Sequence, residues 1–203
     1  MDFYCHNSIA VLAFAPGPGY PRLTTAVLAE LGDLLNEVSL SGLFQGAVIA
    51  ASPRSFATGA SIEEVASVEG VAARDFALQG QSLFNRIASS PLPIVAAIRG
   101  YCLGGGLDLA LACQARVATF DACFGQPGAS LGLVTGWGGT QRLSRLIGKA
   151  AATQLLLTAE RVPATQALTL GLIDELVPSS DLVEAAARRT GFRIQDRREE
   201  TCM

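Results

Sequence analysis

An α/β fold is what this chain predicts, and the pattern of its apolar residues is the reason. Short continuous apolar runs, at 46–51 and 94–98, read as strands buried on both faces of a parallel sheet. Longer stretches between them carry apolar residues at helical spacing. Strands and helices in alternation imply helices layered on a sheet, and 203 residues suit one domain of ordinary size.

In chain order, residues 8–15 read as a first strand, closed by Pro16, Gly17, Pro18 and Gly19. Thr24 or Thr25 can cap the helix that follows, whose apolar stripe is Val27, Leu28, Leu31, Leu34, Leu35 and Val38. The buried strand at 46–51 runs into a loop over 52–62 and then the acidic pair Glu63 and Glu64. A helix is expected over 71–88, with Phe76, Leu83, Phe84 and Ile87 inward, and Pro91 and Pro93 stop it before the strand at 94–98. A further helix follows the glycines at 104–106, a strand spans 115–119, and 124–139 is a glycine-rich loop. Helices over 140–147 and 150–158 come next, then one starting at Pro163 and a strand over 173–177. A short helix is expected over 182–189, while the polar, charged run 193–200 reads as a solvated terminus. The expected division is a core over 1–178 and a helical, charged tail over 179–203. No internal repeat or linker divides the core.

Composition narrows the chemistry. Half the residues are hydrophobic and 16% are charged, which is a core-forming balance. A net charge of −3 offers no footprint for nucleic acid. No apolar run approaches the ~20 residues that span a bilayer, and residues 1–6 lack the positive start of a secretory signal. The expected location is the cytoplasm. The five cysteines form no CxxC pair and His6 is the sole histidine, so neither a metal site nor a histidine-based hydrolase is expected. The cysteines read as reduced, buried thiols. Any general acid or base is then a carboxylate.

The stretch 100–113 concentrates what chemistry remains. An apolar strand leads into Gly104, Gly105 and Gly106, and a helical pattern begins there with Asp108 in its first turn. Glycines let backbone approach a ligand closely, and a helix start presents N–H groups without intrahelical partners to a developing negative charge. A plain structural account also exists, because an acid in a first turn gains about 0.3–1 kcal/mol with no chemistry at all. Nucleotide motifs do not fit. Leu109 stands where a dinucleotide fingerprint needs its third glycine, and Leu107 where a P-loop needs lysine.

Three segments together resemble the enoyl-CoA hydratase/isomerase (crotonase) superfamily: 54–62, 100–113, and Phe124-Gly125-Gln126-Pro127 continuing to Gly136-Trp137-Gly138-Gly139-Thr140-Gln141-Arg142-Leu143. The likeness covers residues 8–178. It implies a spiral of ββα units that binds a coenzyme A thioester, with coenzyme A as part of the substrate and no separate cofactor. By position, the backbone N–H groups of Ala60 and Gly105 correspond to the family's oxyanion hole. Asp108 corresponds to its first catalytic acid, and Gly136 to the glycine that helps hold the reacting water. Phe56, Ala57 and Ile62, beside Gly59, match the loop that receives the adenine end, and Arg54 resembles a basic position near the phosphates.

The departures bear on the reaction. Hydratases of the family carry two glutamates, and here the positions hold Asp108 and Gly128. Asp108 also matches dienoyl-CoA isomerases, whose two further acids would fall at Gly128 and Gly136. Gly128 is similar to the naphthoate synthase branch, whose catalytic aspartate would fall at Thr135. The resemblance therefore implies a hydratase or isomerase using Asp108 as its single acid/base. The alternatives are a catalytically weak acyl-CoA-binding homologue or a naphthoate-synthase-like member. The family also implies a homo-oligomer, trimer or hexamer, although its usual C-terminal helical region is shortened here.

Overall fold

The apolar runs become the middle of a sheet. In a computed structural model that describes residues 1–191, strands β1 (Asp2–His6), β2 (Ile9–Ala13), β3 (Gly46–Ala50), β4 (Ile94–Ile98), β6 (Ala115–Thr119) and β9 (Glu175–Val177) lie side by side in that order. Apart from the β1–β2 hairpin, every pairing is parallel. A second, smaller sheet takes β5 (Tyr101–Leu103), β7 (Cys123–Gly125) and β8 (Arg161–Pro163). After β4 and again after β6, the chain steps from the large sheet into the small one and then into a helix. This is the ββα spiral that the resemblance implied.

Both faces of the large sheet are covered. Helices α1 (Thr25–Ser41), α3 (Gly70–Ala88) and α4 (Gly105–Ala112) contribute Leu28, Leu31, Phe84, Leu107 and Leu109 to the main core, with Leu12, Ile49 and Ile98 of the sheet. Thr24 caps α1, its hydroxyl accepting from the Val27 N–H. The short α2 (Ile62–Ser67), not expected from sequence, is capped by Ser61. Helices α5 (Gly139–Ile147), α6 (Lys149–Thr158) and α7 (Ala164–Thr169) follow, and α8 (Leu182–Thr190) closes the other sheet face. Leu182, Ala185 and Ala186 of α8 pack on Val11, Val48, Val95 and Val117. A methyl group at Gly46 would lie 2.5 Å from Thr190 Cβ, so α8 sits directly on β3.

Several expectations need correction. A boundary after residue 178 would separate α8 from the sheet it covers, so the packed unit continues through Thr190. Residues 193–200 lie outside the described residues. The first strand is 9–13 rather than 8–15, and it is preceded by β1, whose exposed residues carry little burial signal. Strands β5 and β7 are three-residue segments inside glycine-rich stretches, too short for a period to register. Pro163 ends β8, and the helix begins at Ala164.

The last large-sheet strand begins at 175 rather than 173 because Asp174 has another task. Its carboxylate accepts from the Arg116 N–H at 2.8 Å and from the guanidinium at 2.9 Å. The same guanidinium donates to the carbonyls of Leu172 and Cys113. Arg116 is almost fully buried, and breaking one half of a buried pair costs about 3–5 kcal/mol. Arg116→Ala is expected to lower unfolding free energy by that amount, read from the midpoint of a denaturant titration.

Candidate active site

The site forms where two glycine turns meet. Gly59 has φ +112°, open to glycine but strained for other residues, and it turns the chain after β3 so that Ala60 faces α4. Ala57 bridges Cys102 of β5: the Leu103 N–H donates to the Ala57 carbonyl at 2.9 Å and the Ala57 N–H to the Tyr101 carbonyl at 3.1 Å. A β-carbon built on Gly105 would lie 3.3 Å from the Ala60 nitrogen, and one built on Gly59 would lie 3.4 Å from the Gly105 nitrogen. Residues 60 and 105, far apart in sequence, are thus neighbours. Gly105 opens α4, where its N–H has no intrahelical acceptor. The bridge from Leu23 is made to the Gly59 carbonyl at 2.8 Å and does not use the Ala60 N–H.

Asp108 stands one turn along α4 and is fully buried. The Gln126 amide donates to its Oδ1 at 2.8 Å and the Thr135 hydroxyl to its Oδ2. The backbone N–H groups of Trp137 and Gly139, near the start of α5, also favour its ionised form. Burial raises the carboxyl above the usual carboxylate range, and these donors pull it part of the way back. Arg142 and Cys102 also feel its charge. Arg142 fixes the turn itself, donating to the Trp137 carbonyl at 2.9 Å.

Thr135→Val keeps the shape and removes one donor from the ionised form. The Asp108 carboxyl is then expected to titrate at higher pH than in the wild type, read by carboxyl carbon NMR. Titration at the same pH in both proteins would show that the hydroxyl contributes nothing to the charge.

The remaining expected residues divide. Gly136 is exposed beside Asp108's donors, and its carbonyl accepts from Gln81 at 2.7 Å. Gly128 lies in the 3-10 turn Pro127–Leu131, and a β-carbon there would lie 2.8 Å from the Leu133 carbonyl oxygen. A side chain at 128 would therefore run into the Leu133 main chain. Arg54 is exposed, donates to the Pro18 carbonyl at 3.2 Å and lies over the Tyr20 ring. Ile62 is exposed at the head of α2. Phe56 is buried edge-on against Phe14. Ala57 is likewise buried, so both offer a ligand backbone at most.

Sequence reading did not single out Gln126, Trp137 and Gly139 as partners of Asp108, although all three lie inside the quoted motifs. It also missed an open depression of about 590 Å³ lined by Tyr20, Arg22, Thr58, Tyr101, Leu103 and Arg161. Thr58 and Leu103 stand just ahead of the two glycine turns, so this depression leads toward the amide pair. Tyr20 and Tyr101 meet edge to face, and Arg161 lies over the Tyr101 ring at 5.2 Å. Only tertiary proximity assembles this set. Among the described residues no cluster of His, Cys, Asp and Glu could hold a metal ion, and no helix is long and apolar enough to cross a membrane.

A model of the enoyl-CoA hydratase/isomerase family matches residues 6–197. A short-chain-enoyl-CoA hydratase of Clostridium acetobutylicum is 35% identical over 181 residues, which are 89% of this chain and 69% of the relative. Crystal structures of enoyl-CoA hydratases from Thermoplasma volcanium and Bacillus anthracis superpose with TM-scores of 0.88 and 0.87, each 29% identical over 93% of this chain. They are covered over 75% and 74% of their own lengths. Fold, motif order and similarity over nearly the whole chain agree: the protein belongs to the enoyl-CoA hydratase/isomerase family.

Proposed function

We propose that the Ala60 and Gly105 N–H groups polarise the carbonyl of an enoyl-CoA thioester and that Asp108 is the single side chain that moves a proton. The observation that carries this reading is the meeting of two amides, from separate glycine turns, one helical turn from a buried carboxylate. Enolate-like charge on the thioester oxygen is what such donors stabilise, and each is typically worth about 3–4 kcal/mol in a site that excludes water. The depression beside Thr58 and Leu103 takes the coenzyme A end, with Arg22, Arg54 and Arg161 near its phosphates. Gly136, at the exposed edge of the Asp108 pocket, is placed to hold a water by its backbone.

One carboxylate supports one kind of proton traffic best. Moving a double bond needs a base that takes a proton from one carbon and returns it to another. Hydration asks for a base on water and an acid at the α-carbon. With Gly128 in place of the second carboxylate, isomerisation of a 3-enoyl-CoA is expected to outpace hydration of crotonyl-CoA. Parallel assays of the two substrates test this, and faster hydration would reverse the assignment. The absence of a carboxylate at Gly128 equally favours a second reading, an acyl-CoA-binding protein that turns nothing over. Tight binding of an enoyl-CoA with neither isomerisation nor hydration would establish that reading instead.

A further inference from the structure

The space beside the two amides is not open on its inner side. A β-carbon on Gly105, which would lie 3.3 Å from the Ala60 nitrogen, would lie 2.5 Å from Trp137 Cζ3 and 2.7 Å from Cε3. The edge of the indole therefore packs against Gly105, next to the amide pair. The ring reaches it through a slot cut by glycines on two helices, since a β-carbon on Gly80 of α3 would lie 2.6 Å from Trp137 Cε2. Phe76 and Phe84 flank it with ring centroids 5.3 and 5.6 Å away. The main-chain carbonyl of residue 137 is held by Arg142.

We propose that Trp137 is a specificity-determining residue whose ring stands across the inner end of the acyl site and limits the length of acyl group admitted. The inference rests on the reading above, in which the thioester carbonyl sits at Ala60 and Gly105 and the coenzyme A end lies in the depression by Thr58 and Leu103. A substrate so placed enters past Thr58 and Leu103 and carries its acyl chain inward. The first obstacle there is the indole, packed against α3. A short acyl group stops at the ring. A longer one needs the ring to turn out of a slot lined by Phe76, Gly80 and Phe84, losing buried apolar contact.

Two readouts test this on the full chain. Turnover of enoyl-CoAs of four to ten carbons is compared in wild type, Trp137→Ala and the more conservative Trp137→Phe, which guards against a variant that fails to fold. The wild type is expected to favour the shortest substrate, and the ratio of kcat/KM for the longest over the shortest to rise about 10-fold or more in Trp137→Ala, with Trp137→Phe between. Trp137 is also the chain's only tryptophan, so its emission reports the slot without any need for catalysis. Saturated octanoyl-CoA is expected to change that emission more than butyryl-CoA does at equal occupancy, with occupancy measured by calorimetry. Turnover with an unchanged length profile in both variants would overturn the role of Trp137 and leave the proposed chemistry standing. Binding of both acyl-CoAs with no difference in emission would do the same. Failure of the chain to bind any acyl-CoA would remove both.

Discussion

Asp108→Asn is expected to lower turnover about 100- to 10,000-fold while acyl-CoA affinity stays within a few-fold. The side chain keeps its size, so packing in α4 is preserved. What is lost is the one group beside the amide pair that can take up and return a proton. Affinity should persist because it comes from the depression around Tyr20 and Arg22 and from the amides of Ala60 and Gly105, none of which the substitution touches. Turnover in the variant equal to wild type would remove Asp108 from the chemistry. The pH dependence carries a second signature. Burial holds the Asp108 carboxyl above the usual range, so the ionised base appears, and activity rises, at a pH above that of an ordinary aspartate. The same shift acts on stability with the opposite sense. A carboxyl raised in the folded state contributes most where it is protonated, below its unfolded value, and that contribution is lost as pH rises through the folded value. Asp108→Asn should flatten this part of the stability profile, read from thermal midpoints on either side of the transition.

Gly106→Ala is expected to cost about 3 kcal/mol of stability or more, at the upper end of what an added methyl does to a packed interior. The methyl would run into the Ala57 carbonyl, 2.8 Å from its carbon and 2.9 Å from the Ala57 β-carbon. That carbonyl cannot retreat, because it accepts the Leu103 N–H while the Ala57 N–H is tied to Tyr101. Relief must come from sliding α4 away from the 57–60 segment, which separates the two amides. Lost thermal stability, about 6–12 °C in midpoint for a chain of this size, should therefore come with lost acyl-CoA affinity. Gly17→Ala, where a β-carbon meets nothing within 4 Å, is the control and should leave the midpoint nearly unchanged. A Gly106→Ala protein as stable as that control would mean the two segments do not press on each other as described.

Both predictions depend on contacts that pattern reading locates only in part. The sheet was legible because β3 and β4 are buried on both faces, and burial on both faces leaves a continuous apolar run in the sequence. Helices α1 and α3 were legible because their buried residues recur at helical spacing. In contrast, β5 and β7 span three residues each, less than two periods of alternation, and β1 lies at an exposed edge. The family resemblance pointed to Ala60, Gly105 and Asp108, and the fold brings the three together. That the Phe56 side chain is buried against Phe14 was not legible, since a motif fixes position along the chain and not the direction a side chain takes.

By itself the sequence determined the α/β layering and the family resemblance, because each is written in local pattern or in the residue type. Only the tertiary structure decided that α8 belongs to the packed core, that Gln126 and Thr135 donate to Asp108, that a side chain at 128 would meet the Leu133 main chain, and that Trp137 packs between α3 and Gly105. The physical reason is the same in each case. Burial, shared hydrogen bonds and steric exclusion are properties of groups that meet in space, and segments as distant as 57–60, 80, 105–108 and 135–139 meet only after the sheet has folded.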